Sequence, residues 1–556
     1  MKPSSLARLL ALVVLALVPL GCPVYIDLYE PNQSAGTMSS TGGAVGGAGG
    51  TGTSGTGGTG GTGGVCAPAS IAPCYDGPPG TEGHGLCQAG AKTCNAEGTA
   101  YGPCVGEVTP NPEDCATATD EDCDGLAPAC KGAFVWAKSF GDANSPQVAN
   151  GVAVDGAGNV VLVGSFLGSI DFGGGPLVSA GSSDVFVAKF DASGGHLWSK
   201  RFGDVNPQSV SGVAVDGAGN IVLVGSFNGT VDLGGGPLVS AGTVDVFVAK
   251  LDGNGSHLWS KNFGDVGPQF AGAVVFDGAG NVLLDGHFSG SINFGGGPLV
   301  STGGNDAFIT KLDAGGAHVW SKRFGDGADQ SATGVAVDQA GNVIFVGSFS
   351  GSVNLGGAAL TGTNDTFIAK LDAGGAHVWS KSFGDENAQI PTGVAVDGAG
   401  SVVVVGYSDG SVDFGGGPLT SAGAADTFIA KLDASGMWLW SQSFGDVGDQ
   451  IPNGVAVDGA GNIVLVGYFN GSVDFGGGPL ASAGAADTFV AKLDVNGAHL
   501  WSKRFGDALD QLGVGAAMDS AGYALVAGFF FGTVNFGGGP LVSAGGSDVF
   551  LAKFAP

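Results

Sequence analysis

An aspartate and a glutamine recur together along the last three quarters of this chain. Each aspartate follows Phe-Gly, and a glutamine comes four or five positions later. The pairs are Asp142 and Gln147, Asp204 and Gln208, Asp265 and Gln269, Asp326 and Gln330, Asp385 and Gln389, Asp446 and Gln450, and Asp507 and Gln511. Carboxylates and amides ringed on one face could bind cations, sugars or a basic peptide. The same groups can instead cap the backbone of a connecting segment in the same way in every repeat. Sameness favours capping, because ligand sites usually break symmetry.

One repeat does break it. Val282-Leu-Leu-Asp-Gly-His-Phe288 stands where others read VLVGSF. Asp285 and His287 lie two apart, so on a strand they share a face and could set a carboxylate against an imidazole for acid–base work. Drift in a single repeat is the plainer account. His196, His257 and His318 recur just before a tryptophan and read as turn residues. The Asp-Gly-Ala-Gly-Asn runs led by Asp155, Asp216, Asp397 and Asp458 are hairpin turns. Gly-Gly-Gly-Pro segments lack the helix and lysine that a phosphate cradle needs. No His-Glu-x-x-His helix occurs, and Glu386 is the sole glutamate of the repeat region, which disfavours a glutamate-pair glycosidase.

The elements that position these residues follow from a recurring tryptophan. Trp136, Trp198, Trp259, Trp320, Trp379, Trp440 and Trp501 return about every 60 residues, the mark of a repeat architecture. In the second repeat, Gly212–Asp216, Ile221–Phe227, Asp245–Leu251 and Leu258–Phe263 read as strands divided by Gly/Asp/Asn turns. Asn228–Val244 reads as a longer loop. Four such strands make an antiparallel blade, with small Ala near the axis and Trp and Phe at the rim. The region opens on Phe134–Phe140, a fourth strand with no blade before it, and closes on Asp548–Phe554, a third strand with no fourth after it. Pairing these two completes the last blade and hides both edges. The predicted fold is all-β, a closed seven-bladed propeller of four-stranded blades over 131–556. The motifs GVAVDGAGN, VLVGSF and DVFVAKLD resemble the seven-bladed β-propeller, or SBBP, repeat family. That resemblance implies the fold and is nearly silent on activity, because propellers host enzymes, receptors and scaffolds.

The amino-terminal part is different. Lys2 and Arg8 precede an apolar run from Leu9 to Leu20, which reads as a signal peptide over 1–21, too short to span a bilayer. Gly21-Cys22 resembles a bacterial lipobox, although Pro19 departs from the usual leucine. The resemblance implies lipidation of Cys22 and, with Pro23 next, the outer membrane or cell surface. Residues 22–65 form a Gly/Thr/Ser-rich tether. Residues 66–130 hold Cys66, Cys74, Cys87, Cys94, Cys104, Cys115, Cys123 and Cys130, read as disulfides replacing a missing core, with pairing open. Within this module Asp120, Asp122 and Asp124 spell D-x-D-x-D-G. That spacing suits Ca²⁺ and resembles the start of an EF-hand loop, but Lys131 stands where the closing glutamate would be.

A net charge of −29 disfavours nucleic acid and anionic membrane as partners, since phosphate contact needs Lys and Arg. The expectation is a monomeric lipid-anchored surface protein, not an enzyme, presenting a propeller to a protein or carbohydrate. Two alternatives stand beside it: an extracellular hydrolase or lyase using Asp285 and His287, and a spacer without a specific ligand.

Overall fold

The computed structural model describes residues 65–78, 81–110, 120, 123 and 131–556. The chain divides into two compact units, Met1–Pro128 and Ala129–Pro556. In the first, short strands Ile71–Cys74 and Gly90–Thr93 pair antiparallel. Disulfides join Cys66 to Cys94, Cys74 to Cys104 and Cys87 to Cys123. Cys22, Cys115, Cys130, Asp122 and Asp124 lie outside the described residues.

The second unit is a seven-bladed β-propeller. Each blade is a four-stranded antiparallel sheet. Blade I runs from an inner strand, Gln147–Val154, through Val160–Phe166 and Asp184–Phe190 to an outer strand, His196–Phe202. Blades II to VI repeat the pattern from Gln208, Gln269, Gln330, Gln389 and Gln450. Blade VII takes Gln511–Met518, Ala524–Phe530 and Asp548–Phe554 from one end of the region and Phe134–Phe140 from the other. Phe134 pairs with Phe554 and Phe140 with Val549, so the ring closes as the strand count requires.

The second and third strands are buried along their whole length in blades I and II because both faces meet neighbouring blades. The core therefore sits in the seams. Val222, Val224 and Val246 of blade II pack with Val282, Leu284 and Phe308 of blade III in one cluster. Phe140, Phe172, Phe186 and Phe190 form a chain of rings across the seam between blades VII and I. Burying one such Phe stabilises by about 1.5–3 kcal/mol.

Three details differ from the strand reading. The inner strand begins at the glutamine, as in Gln208–Val215, because Gln208 pairs with Phe227 at the end of the second strand. The long loop of blade II contains a short hairpin, Thr230–Asp232 with Pro237–Val239. His196, His257 and His318 open the outer strands instead of ending turns. Their rings fill the space over glycines: a Cβ on Gly174 would lie 2.4 Å from His196 Cε1.

Candidate functional site

The Asp–Gln pairs lie where one blade passes to the next, and five of the seven build the same closed motif in full. In blade II, Asp204 Oδ1 accepts from Asn206 N at 2.8 Å and from Gln208 Nε2 at 2.7 Å, while Oδ2 accepts from Thr230 N at 3.1 Å. Gln208 Oε1 accepts from Asp204 N at 3.1 Å. Asp326, Asp446 and Asp507 repeat this pattern with Gln330, Gln450 and Gln511. The glutamines are buried. Burial alone would push the Asp142 carboxyl upward, but N–H groups of Asn144, Ser169 and Ser145 outweigh it and hold the group below the ordinary carboxylate range. At Asp326 the N–H groups of Ala328 and Ser352 act in the same sense. The ring thus ties each linker to the loop of the following blade, with its amides turned inward.

Next to it is a second set of aspartates that the sequence reading did not single out. Asp184, Asp245, Asp306, Asp426, Asp487 and Asp548 open the third strands, Asp365 holds the same place inside the longer strand Leu360–Leu371, and all seven are buried. Desolvation raises each of their pKa values. In blades I, III and VI an outer-strand arginine answers the charge: Arg201 with Asp184, Arg323 with Asp306 and Arg504 with Asp487. The signal was present as an Arg before the Phe-Gly-Asp of only those three repeats.

The repeats differ most at the mouth of the ring on this linker side. The sixth residue of the second strand is Ser165, Ser226, His287, Ser348, Tyr407, Tyr468 or Phe529. It faces the next blade: Ala271 N donates to Ser226 Oγ at 3.4 Å, and Tyr407 packs with Ile451. His287 Nδ1 and Ser331 Oγ lie 3.0 Å apart across the seam between blades III and IV. Burial lowers the His287 pKa to about 4, against the pull of Asp329, so the imidazole is neutral at pH 7, and its tautomer decides which of the two groups donates.

Asp285 stands apart from this pair. Its carboxyl is fully buried, and Oδ1 accepts from Ala273 N at 2.6 Å while Oδ2 has no hydrogen-bond partner. Burial raises its pKa to about 7. The inner strands carry bulges, at Asn150, Ser211, Thr333, Thr392, Asn453 and Val514 in six blades and at Gly272-Ala273 in blade III. Two of their side chains reach forward: Thr333 Oγ1 donates to Pro391 O and Asn453 Nδ2 to Gly513 O. Gly272 has no side chain to do so. A Cβ there would meet Asp285 Oδ1 at 2.5 Å, so the carboxyl occupies the room that glycine leaves. The bulges line an axial cavity of about 230 Å³. Sequence spacing placed Asp285 and His287 on one face; the structure gives each a different partner, Ala273 and Ser331.

The opposite side is constant. There the hairpin aspartates take third-strand lysines as buried ion pairs, such as Asp155 with Lys189 at 3.0 Å and Asp277 with Lys311 at 2.8 Å, and every blade has one. In the disulfide unit, Asp120 is buried and its carbonyl accepts from Leu86 N. Among the described residues no three His, Cys, Asp or Glu side chains are grouped to hold a metal.

The fold and its mouth define the class, a seven-bladed β-propeller with a disulfide-linked region before it. No family model matches the chain, so the likeness to SBBP repeats stands on its motifs. The chain is 27% identical over 369 residues to the regulatory protein FlaEY of Caulobacter vibrioides, covering 61% of this chain and 37% of that protein. It is 20% identical over 502 residues to the uncharacterized WD repeat-containing protein L264 of Acanthamoeba polyphaga mimivirus, covering 72% and 36%. It therefore spans little more than a third of either relative. Among solved structures, puromycin hydrolase superposes with a TM-score of 0.42 at 14% identity, over 74% of this chain and 54% of that one.

Proposed function

We propose that this protein is a non-enzymatic binding platform whose contact surface is the linker-side mouth. One observation supports the reading: the blades repeat their ion pairs and linker caps, yet vary at the mouth. Blades VI and VII contribute the half-buried Tyr468 and Phe529 there and blade IV the half-buried Ser348, while Tyr407, Ser165 and Ser226 at the same position are buried behind them. An aromatic half beside a hydroxyl half suits a carbohydrate, whose apolar ring faces stack while its hydroxyls bond; a protein loop with one apolar and one polar side is the other fitting ligand. In this reading the tether and Cys22 lipid hold the propeller at the outer membrane or cell surface, and Ca²⁺ at Asp120, Asp122 and Asp124 would stiffen the disulfide module.

A glycan array and a surface pull-down with the whole chain test the platform. Binding should fall on Tyr468→Ala and Phe529→Ala and survive Asp285→Asn. Silence in both screens would leave the spacer reading. Intact-mass analysis without a diacylglyceryl group on Cys22 would remove the anchor. The His287–Ser331 bond supports a hydrolase as second reading, with Ser331 as nucleophile. A fluorophosphonate probe that labels Ser331, and fails on His287→Gln, would favour it over the platform.

A further inference from the structure

The positive charges of the propeller keep to two kinds of strand. Between residues 134 and 556 every lysine and arginine lies on a third strand or an outer strand. The third-strand lysines pair with hairpin aspartates on the side away from the mouth, as Lys189 does with Asp155. Arg201, Arg323 and Arg504 are taken up by Asp184, Asp306 and Asp487. The linkers, the inner and second strands and the loops between second and third strands carry no lysine or arginine. Those same segments hold the linker aspartates, Glu386 and Asp409. The mouth therefore opens in a field of one sign, which low-dielectric walls strengthen.

Three of the carboxylates there are not needed to build the ring. The residue before the linker glutamine is Pro146, Pro207, Pro268 or Ala388 in four seams, and Asp329, Asp449 or Asp510 in the other three. The aspartates stand only where the second strand of the preceding blade presents a polar ring: Asp329 acts on His287, Asp449 on Tyr407 and Asp510 on Tyr468. Seams whose sixth residue is Ser165, Ser226, Ser348 or Phe529 have proline or alanine instead. Each of the three aspartates holds the long loop of the preceding blade through Oδ1. Asp329 accepts from Asn305 N at 2.9 Å, Asp449 from Ala425 N at 3.4 Å and Asp510 from Ala486 N at 3.0 Å. Oδ2 takes no part in these bonds.

Two of the three act on one ring. Asp449 O accepts from Asn470 N at 2.9 Å, which sets Asp449 beside the end of the strand that carries Tyr468. Asp510 lies in the next linker, where its carbonyl accepts from Phe531 N at 2.9 Å. Tyr468 is half-buried and packs against Tyr407, Ala425 and Ile451. Burial first, and then the charges of Asp449 and Asp510, push its phenol up to about 12, so the ring stays neutral at pH 7. Both carboxylates are partly exposed. Like charges beside an apolar wall repel, and a cation set between them turns that repulsion into attraction. A lysine or arginine side chain brings such a charge on an apolar stem, which packs on ring faces while the head meets carboxylates and the π-system of Tyr468.

We infer that the blade V to VII sector of the mouth receives a basic loop of a partner protein, with a lysine or arginine side chain laid on Tyr468 between Asp449 and Asp510. This rests on the binding-platform reading and names its ligand as a cationic protein segment in place of a neutral sugar. Val447 and Leu509, in the same two linkers as the carboxylates, are 80% and 50% exposed. They offer apolar contact on either side of the charged centre, which suits a loop that mixes aliphatic and basic residues. Charge complementarity of this kind sets encounter rate and partner choice, so the binding weakens as salt rises.

The test uses the whole chain and a capped pentapeptide, Leu-Lys-Gly-Lys-Leu, in calorimetry at low and high salt. One site should saturate, and acetylating both lysines should abolish binding. Asp449→Asn combined with Asp510→Asn should weaken it at least tenfold; asparagine keeps the oxygen that Ala425 N and Ala486 N use, so the fold is preserved. Tyr468→Ala should do the same, whereas Tyr468→Phe keeps the ring and should keep the affinity. The control is Asp232→Asn combined with Asp474→Asn. It removes two charges at loop positions where Asn293 and Asn535 already cap the same glycine pair in blades III and VII, and should change affinity less than twofold. The inference is overturned if the peptide does not bind, or if both pairs of variants weaken it equally, since only the overall charge would then be at work. A neutral glycan whose binding needs Tyr468 and Phe529 but not the two aspartates would also overturn it, and would leave the platform reading standing.

Discussion

Replacing Asp285 by asparagine should stabilise this propeller at neutral and alkaline pH. The carboxyl is fully buried, and its pKa rises from the ordinary 3.8 to about 7 because burial outweighs the N–H groups around it. About three pKa units correspond to roughly 4 kcal/mol between the two protonation states. The sign follows from a folded pKa above the unfolded one. The favourable contribution is complete below about pH 3.8, declines through the interval up to about 7, and is absent above it. Asparagine keeps an oxygen for Ala273 N and carries no proton to lose. Chemical denaturation of both proteins at pH 5 and pH 8 is the assay. The asparagine variant should gain on the order of 2–4 kcal/mol at pH 8 and lose most of the pH dependence across this interval. Equal midpoints at pH 8, or parallel pH profiles, would refute the assignment of a strained, ionised carboxyl at this seam.

Three further outcomes follow from the same geometry. Gly272→Thr should destabilise, since its Cβ would meet Asp285 Oδ1 at 2.5 Å, and Asp285→Val should rescue it by restoring the pattern of the other blades; a double-mutant cycle in denaturant should show coupling of about 1–3 kcal/mol. Lys311→Met strands the buried Asp277 carboxylate and should cost about 3–5 kcal/mol at pH 7. Burial pushes the Asp277 pKa up, but Lys311 and the turn N–H groups hold it below 3.8 overall, so the bridge contributes above the unfolded pKa and the deficit should shrink as pH falls through the folded one. Ser443→Arg should give Asp426 the guanidinium that Asp184, Asp306 and Asp487 already have and add about 1 kcal/mol at pH 7, read as a higher denaturation midpoint; no gain would show that the outer-strand arginines are incidental.

The architecture was legible because strand period, turn chemistry and strand count agreed. Phe134–Phe140 and Asp548–Phe554 were each readable as one strand, and only their pairing leaves no open edge. The roles of single side chains were less legible, since they depend on which blade lies opposite. Asp285 and His287 share a face by period, yet one turns to a bulge in its own blade and the other to a serine across the seam. The third-strand aspartates looked like strand leaders, and their burial comes only from the closed ring. Lys250 pairs with Asp216, which sits in a different hairpin of the same blade, a partnership that no spacing rule links. Cysteine pairing was open by counting alone; Cys66–Cys94, Cys74–Cys104 and Cys87–Cys123 required coordinates.

The split seventh blade also governs how this molecule assembles. Phe134, near the start of the ring, pairs with Phe554 at its far end, so the last sheet cannot be completed until everything between has been made. Bringing such distant segments together is entropically slow, and six finished blades must wait as an open arc with bare strand margins. A truncation that removes either margin would therefore leave a species primed to join a second copy of itself, edge to edge, in place of its own lost strand.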